Sequence, residues 1–210
     1  MSFVPQLYIE FSQRNHVRYN LVYDPEASRN RANMGCDHNT SADNKFYYNI
    51  CWGATNSSGI TNRWSADGTI FYGNVIYDCY YGFNIKDITG TIIKNNIVMG
   101  SDNFSMEFDT AAKTEITSDY NCWADSGNIF REEGVGTLSL ATWQSATGQD
   151  ANSLDNEDPL FTDAAGDDFT LQAASPCIGA GADLGASYSG AIMPGSTWTD
   201  GVTTGDQDDY

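Results

Sequence analysis

The chain has 210 residues, enough for one domain with a buried core, and its 28 Asp and Glu against 10 Lys and Arg give a formal net charge of −18. Phosphate backbones and anionic headgroups repel so acidic a polypeptide, which makes nucleic acid and membrane surfaces poor partners. With 40% hydrophobic and 13% aromatic residues it does not read as disordered, and no apolar run approaches the roughly 18 residues of a membrane span.

From the N-terminus, Met1 to Pro5 shows neither the basic nor the apolar region of a signal peptide. A repeat then begins. Val17–Tyr23, Phe46–Trp52, Phe71–Tyr77, Ile93–Met99 and Ser118–Ala124 are variants of one unit, each with a central asparagine. Asn20, Asn49, Asn74, Asn96 and Asn121 follow one another at intervals of 29, 25, 22 and 25 residues, each between two short apolar, β-branched or aromatic runs. The pattern predicts strand, one-residue corner, strand, with the asparagine in the left-handed conformation a sharp bend requires. Alternation around that corner places Val17, Phe46, Phe71 and Ile93 in one inward column, and Val22, Cys51, Ile76, Val98 and Trp123 in another.

A further strand precedes each unit by about a dozen residues, at Ile9–Phe11, Met34–Asp37, Asn62–Trp64, Phe83–Lys86 and Met106–Asp109. Three strands in about 22–25 residues make one coil of a parallel β-helix, whose coils bury a shared core. The period is two rather than 3.6, so a helical repeat is excluded. The expected fold is all-β: a single right-handed parallel β-helix of five to six coils over residues 1–185. It ends in a cap with one helix near 139–147, followed by an acidic Gly- and Thr-rich tail over 186–210. Leu140 and Trp143 give that helix its apolar face, and Gly148 its stop. No cap precedes Leu7, where the repeat is already running, so the chain is expected to be the C-terminal portion of a longer solenoid or part of an end-on oligomer.

Charge is segregated along the chain. All ten basic residues lie at or before Arg131 with 14 acids, while residues 132–210 carry 14 acids and no base. The five cysteines, at 36, 51, 79, 122 and 177, form no CxxC pair and read as buried small hydrophobes rather than zinc ligands or a disulfide framework. Asp155–Asp158 and Asp163–Asp168 lack the spacing of a calcium loop and read as solvated acidic turns.

The Asn-centred corners resemble those of the secreted right-handed parallel β-helix proteins of the pectate-lyase-like superfamily. So do Ile116–Asn121 and the closing stretches Leu140–Gln144, Asp158–Phe161, Asp168–Gln172 and Ser175–Gly181. The likeness runs from about Ile9 to Gly185. It implies an extracellular, cell-surface or virion protein acting on polysaccharide. It also implies a site on the outer face of the first strand of each coil, where carboxylates hold Ca²⁺ and a Lys or Arg abstracts the proton beside a uronate carboxylate. Alternate positions of these strands point outward: Glu10 and Ser12, Asp37, Arg63 and Ser65, Asn84 and Lys86, Glu107 and Asp109.

On that reading Lys86, Arg63 and Asp109 are the catalytic candidates. Glu107, Asn84 and Tyr81 are the substrate-binding ones, and Asp37 and Asp109 the Ca²⁺ ligands. The bland alternative is a solvated face in which Lys86 and Asp109 form an ordinary surface pair. Glu107 with Asp109 or Asp37 stays open as a carboxylate pair for glycoside hydrolysis. His38 reads as exposed rather than catalytic, and no GxSxG supports a serine triad. Two functions remain: a Ca²⁺-assisted polysaccharide lyase, or a non-catalytic solenoid serving as a carbohydrate-binding module, adhesin, stalk or tailspike part.

Overall fold

The computed structural model describes residues 7–23 and 32–184. The predicted tail over 186–210 lies outside them. Five successive coils each contribute three short strands. They are β1 (Leu7–Glu10), β2 (His16–Arg18) and β3 (Leu21–Tyr23); then β4 (Ala32–Asp37), β5 (Lys45–Tyr47) and β6 (Ile50–Trp52). The third and fourth coils hold β7 (Ser58–Arg63), β8 (Ile70–Tyr72), β9 (Val75–Tyr77), β10 (Tyr81–Lys86), β11 (Thr91–Lys94) and β12 (Ile97–Met99). The fifth holds β13 (Phe104–Phe108), β14 (Ile116–Asp119) and β15 (Cys122–Trp123).

Each strand pairs in parallel with its counterpart one coil on, so three sheets run the length of the stack. Sheet I is β1-β4-β7-β10-β13, sheet II β2-β5-β8-β11-β14 and sheet III β3-β6-β9-β12-β15. The fold is therefore the parallel β-solenoid that the repeat predicts, its ladders directed along the axis.

Both predicted inward columns are present. Val17, Phe46, Phe71 and Ile93 stand in register and buried, as do Val22, Cys51, Ile76, Val98 and Trp123. Sheet I adds Met34, Ile60, Phe83, Met106 and Phe130. The rings of Phe46 and Phe71 stack at 5.2 Å along the axis, a contact between successive coils. Glycine is required near the start of β7 and β10: a Cβ on Gly59 would lie 2.3 Å from Ile76 Cγ2, and one on Gly82 2.4 Å from the Ser105 carbonyl oxygen. All five cysteines are free and buried.

The corners differ from expectation in one respect. Two residues, not one, separate the strands of sheets II and III, and the left-handed one precedes the asparagine: Tyr19, Tyr48, Gly73, Asn95 and Tyr120, with φ between 55° and 61°. The asparagine is committed to the stack instead. Asn20, Asn49, Asn74 and Asn96 each send Nδ2 to the Oδ1 of the next asparagine at 2.9–3.0 Å, and the same Oδ1 accepts the backbone N–H of the preceding one at 2.9–3.2 Å. From Asn49 onward the second Nδ2 hydrogen reaches a carbonyl of the coil before, such as Val17 or Phe46. Four buried polar groups per coil are thus satisfied without water.

The C-terminal end is closed. β16 (Phe130–Glu132) continues sheet I in parallel, and β17 (Gly136–Leu138) then pairs antiparallel with it. The helix α1 (Leu140–Thr147) follows, capped by Ser139, whose Oγ accepts the Thr142 N–H at 3.2 Å, and by left-handed Gly148. Its Trp143 packs on Phe108 and Phe130 at 5.0 and 5.3 Å, covering the end of the core. The ladder stops there: Asn121 Nδ2 and the Trp123 and Trp143 indole N–H groups all donate to the buried Asp150 carboxylate.

β18 (Leu154–Asp155) ends sheet III, and the chain then turns back along the outside of that sheet. The antiparallel pair β19 (Phe161–Asp163) and β20 (Asp168–Leu171) lies there. Ile50, Val75, Ile97 and Cys122 point outward yet are buried, because Phe161, Phe169 and Cys177 cover them in a second apolar core. The closing stretch is therefore a strap over one face of the stack as well as its end.

Candidate functional site

Where sheets I and II are not covered by the strap, the outer face of sheet I gathers charge. Register places Tyr8, Gly35, Thr61, Asn84, Glu107 and Arg131 on successive rungs of one column. Glu10 pairs with Asp37 and Arg63 with Lys86 in the neighbouring one. Rungs about 4.8 Å apart let long side chains reach between coils.

The centre of the face is a linked network. Lys86 Nζ bridges Glu107 Oε1 and Glu133 Oε2, the latter at 3.0 Å. Arg131 holds the other Glu107 oxygen at 3.3 Å and donates to the Tyr81 hydroxyl at 3.3 Å, its guanidinium lying 5.8 Å from the Phe104 ring centroid. Asn84 donates to Glu107 at 3.4 Å and accepts from Arg63 Nε at 3.1 Å. Burial, then the hydrogen bond to Glu107, pushes the Tyr81 phenol up to about 12.

Arg63 differs from its basic neighbours. Among the described residues no carboxylate lies within ion-pair distance of it, and Nε is its one hydrogen-bonded donor. The other four of the five N–H donors of its guanidinium have no partner among the described residues. Burial draws its pKa below the ordinary arginine value, against the opposing pull of the Glu107 and Asp37 charges.

Toward the N-terminal end a smaller cluster forms. The Asp37 carboxylate accepts the Tyr8 hydroxyl and, at 2.6 Å, the His38 backbone N–H. Burial raises the Asp37 pKa, and burial together with the Asp37 contact raises that of Tyr8. His38 Nε2 lies 2.9 Å from Glu10, and its ring sits between Phe11 at 4.7 Å and Trp64 at 5.5 Å. Flat apolar rings therefore flank the charged strip: Phe11 and Trp64 at one margin, Tyr81 and Phe104 at the other.

Sheet I thus carries Lys86, Arg63, Asn84, Glu107, Tyr81 and Asp37 on one face. It does not unite the two predicted Ca²⁺ ligands. Asp37 and Asp109 are three rungs apart, about 14 Å. The Asp109 oxygens accept the backbone N–H groups of Asp87 at 2.8 Å and Ala112 at 2.7 Å, so this carboxylate shapes a turn, and Lys86 pairs with Glu107 and Glu133 rather than with it. Glu107 and Asn84 lie beneath the surface of the strip and position its cations. Glu107 and Asp37 are likewise three rungs apart, beyond the reach of a hydrolytic carboxylate pair.

The sequence reading leaves out Arg131, Glu133, Phe104 and Tyr8. Arg131 was within reach of it, standing 24 residues after Glu107, one repeat on. Comparison with protein-family models, curated proteins and solved structures returns no match.

Proposed function

We propose that the outer face of sheet I binds a uronate-containing polysaccharide outside the cell. The observation that carries this reading is Arg63, half-buried in a strip bordered by rings on which sugars can stack, whose terminal donors no described residue of that strip claims. Lys86 and Arg131 are already neutralised by Glu107 and Glu133; among the described residues of this strip Arg63 is the cation left to take a carboxylate. A net charge of −18 repels a densely charged polymer at long range, so the match is to a glycan with uronates spaced among neutral sugars.

The resemblance to pectate-lyase-like proteins agrees with this substrate class and adds a finer reading, favoured by the desolvation of Arg63. In it Arg63, drawn toward its neutral form by burial, takes the proton α to the uronate carboxylate; the electron pair forms the ring double bond, the neighbouring glycosidic C–O bond breaks, and the leaving sugar oxygen takes a proton from water. Ca²⁺ in this scheme comes with the substrate carboxylate, since Asp37 and Asp109 do not converge.

Binding to a mixed uronate–hexose polymer, a polyuronate and a neutral glucan separates the readings. The mixed polymer should bind best, and Arg63→Ala should weaken it at least about tenfold, the loss of one charge-assisted contact. Equal retention of wild type and Arg63→Ala, or of all three polymers, would remove the proposal. Release of unsaturated oligosaccharides with Ca²⁺ present, abolished by Arg63→Ala, distinguishes elimination from binding alone.

A further inference from the structure

The two ends of the solenoid are built differently. At the C-terminal end every sheet is closed: β17 covers β16, β18 and the strap follow β15, and Gln149, Asp150 and Asn152 bond the margin of β14. At the other end β1, β2 and β3 are the outermost strands of their sheets, with no described strand beyond them. Phe11, Leu21 and Tyr23, all in this first coil, are more than half exposed, and the strap that buries Ile50, one rung in from Leu21, does not cover them.

The asparagine ladder gives this end a chemical polarity. Every Oδ1 from Asn49 to Asn121 accepts from the asparagine of the coil before. Asn20 has the same outlook and no described coil before it. Both hydrogens of its Nδ2 are taken, by the Arg18 carbonyl and Asn49 Oδ1, while its own Oδ1 accepts from no described residue. Asn15 repeats the pattern at a second position: its Nδ2 bonds Ser12 and Asn44, and its Oδ1 accepts from no described residue. The end thus presents acceptors at two fixed points between three strand edges.

We infer that the N-terminal face is a docking surface for one more coil of parallel β-solenoid, running in the same sense and carrying an asparagine at the corner above Asn20. Such a coil supplies what the face lacks: a backbone N–H and an Nδ2–H for Asn20 Oδ1, parallel partners for β1, β2 and β3, and apolar side chains over Leu21 and Tyr23. A second copy of this chain does not. Turned head to head, it runs its strands antiparallel to these and sets one asparagine acceptor against another. Placed head to tail, it offers an end occupied by α1, β17 and Asp150. The inference is independent of any activity on sheet I.

Two measurements test it. In sedimentation or light scattering the chain alone should remain monomeric at all accessible concentrations; a dimer in which the amides of β1–β3 are protected would show that the face takes a second copy, and would overturn the inference. In the second, a duplicate of residues 32–57, one coil with its own asparagine, is fused ahead of the intact chain. The fusion should melt in a single transition several degrees higher, and should slow amide exchange in Leu21–Tyr23 about tenfold or more. The same fusion with leucine replacing its corner asparagine should lose most of that gain. An added coil that is digested as an unfolded extension, leaving exchange in β1–β3 unchanged, would also overturn it.

Discussion

At the scale of single residues, the asparagine corner shows how local cost and long-range gain are divided. A tyrosine at φ near +55° is disfavoured by roughly 1–2 kcal/mol relative to the right-handed region. It is held there because the next residue joins a ladder that would break if the corner relaxed. The rings reinforce it: Tyr19 and Tyr48 stack at 5.6 Å, along the same axis. Interior rungs should therefore matter far more than the first. Asn74→Leu strands Asn49 Nδ2, the Asn49 N–H and the Phe46 carbonyl, and should cost about 3 kcal/mol in urea unfolding. Asn20→Ala leaves a ladder end that is already wet, and should cost less than about 1 kcal/mol. Equal costs would show that the ladder follows from the stack rather than supporting it.

At the scale of elements, the C-terminal cap is a helix that its own sequence barely stabilises. Eight residues are too few for an isolated helix, so α1 depends on its caps and on Trp143. Trp143→Phe keeps the ring and removes the indole N–H that bonds Asp150 at 2.8 Å, and should lower stability by about 1–3 kcal/mol. Beside it, Lys113 holds Glu132 at 2.7 Å and keeps its carboxyl below the ordinary value. A carboxylate whose pKa is depressed by folding adds stability above its unfolded pKa and loses it as pH falls through the folded one. Wild type should therefore lose more stability than Lys113→Met between neutral pH and about pH 3, and the two unfolding curves should converge in acid. Parallel curves would show the pair to be energetically idle.

At the scale of the whole molecule, stability is a sum over adjacent coils, joined on one side by the strap. Ending the chain after Asn156 should expose Ile50, Val75, Ile97 and Cys122 together, a contiguous apolar face. The truncated protein is expected to bind a hydrophobic dye and to associate, while far-ultraviolet dichroism keeps its β signature. A truncated chain that stays monomeric and dye-free would show that the outer face of sheet III does not need its cover. The same geometry places the charged strip of sheet I on a face the strap leaves bare, so a long, unbranched ligand can lie along the axis across several coils.

Much of this architecture is legible without coordinates. Strand alternation and an asparagine every 22–29 residues determine the coils and the inward columns, because a side-chain period of two is a local property and repeated copies share one register; Leu140, Trp143 and Gly148 mark the helix that ends them. The positions of Lys86, Arg63, Asn84 and Glu107 on one face follow from the same alternation. Their partners do not. Lys86 reaches Glu133 instead of Asp109, and Arg131 closes on Glu107, since lateral contacts depend on where each turn sets the next rung and on which carboxylates backbone amides have already claimed. The left-handed residue at each corner and the strap over sheet III were likewise settled only by tertiary packing. One needs the chain's exact path through the bend, and the other brings together apolar residues as distant in sequence as Ile50 and Phe169, a separation at which no periodicity survives.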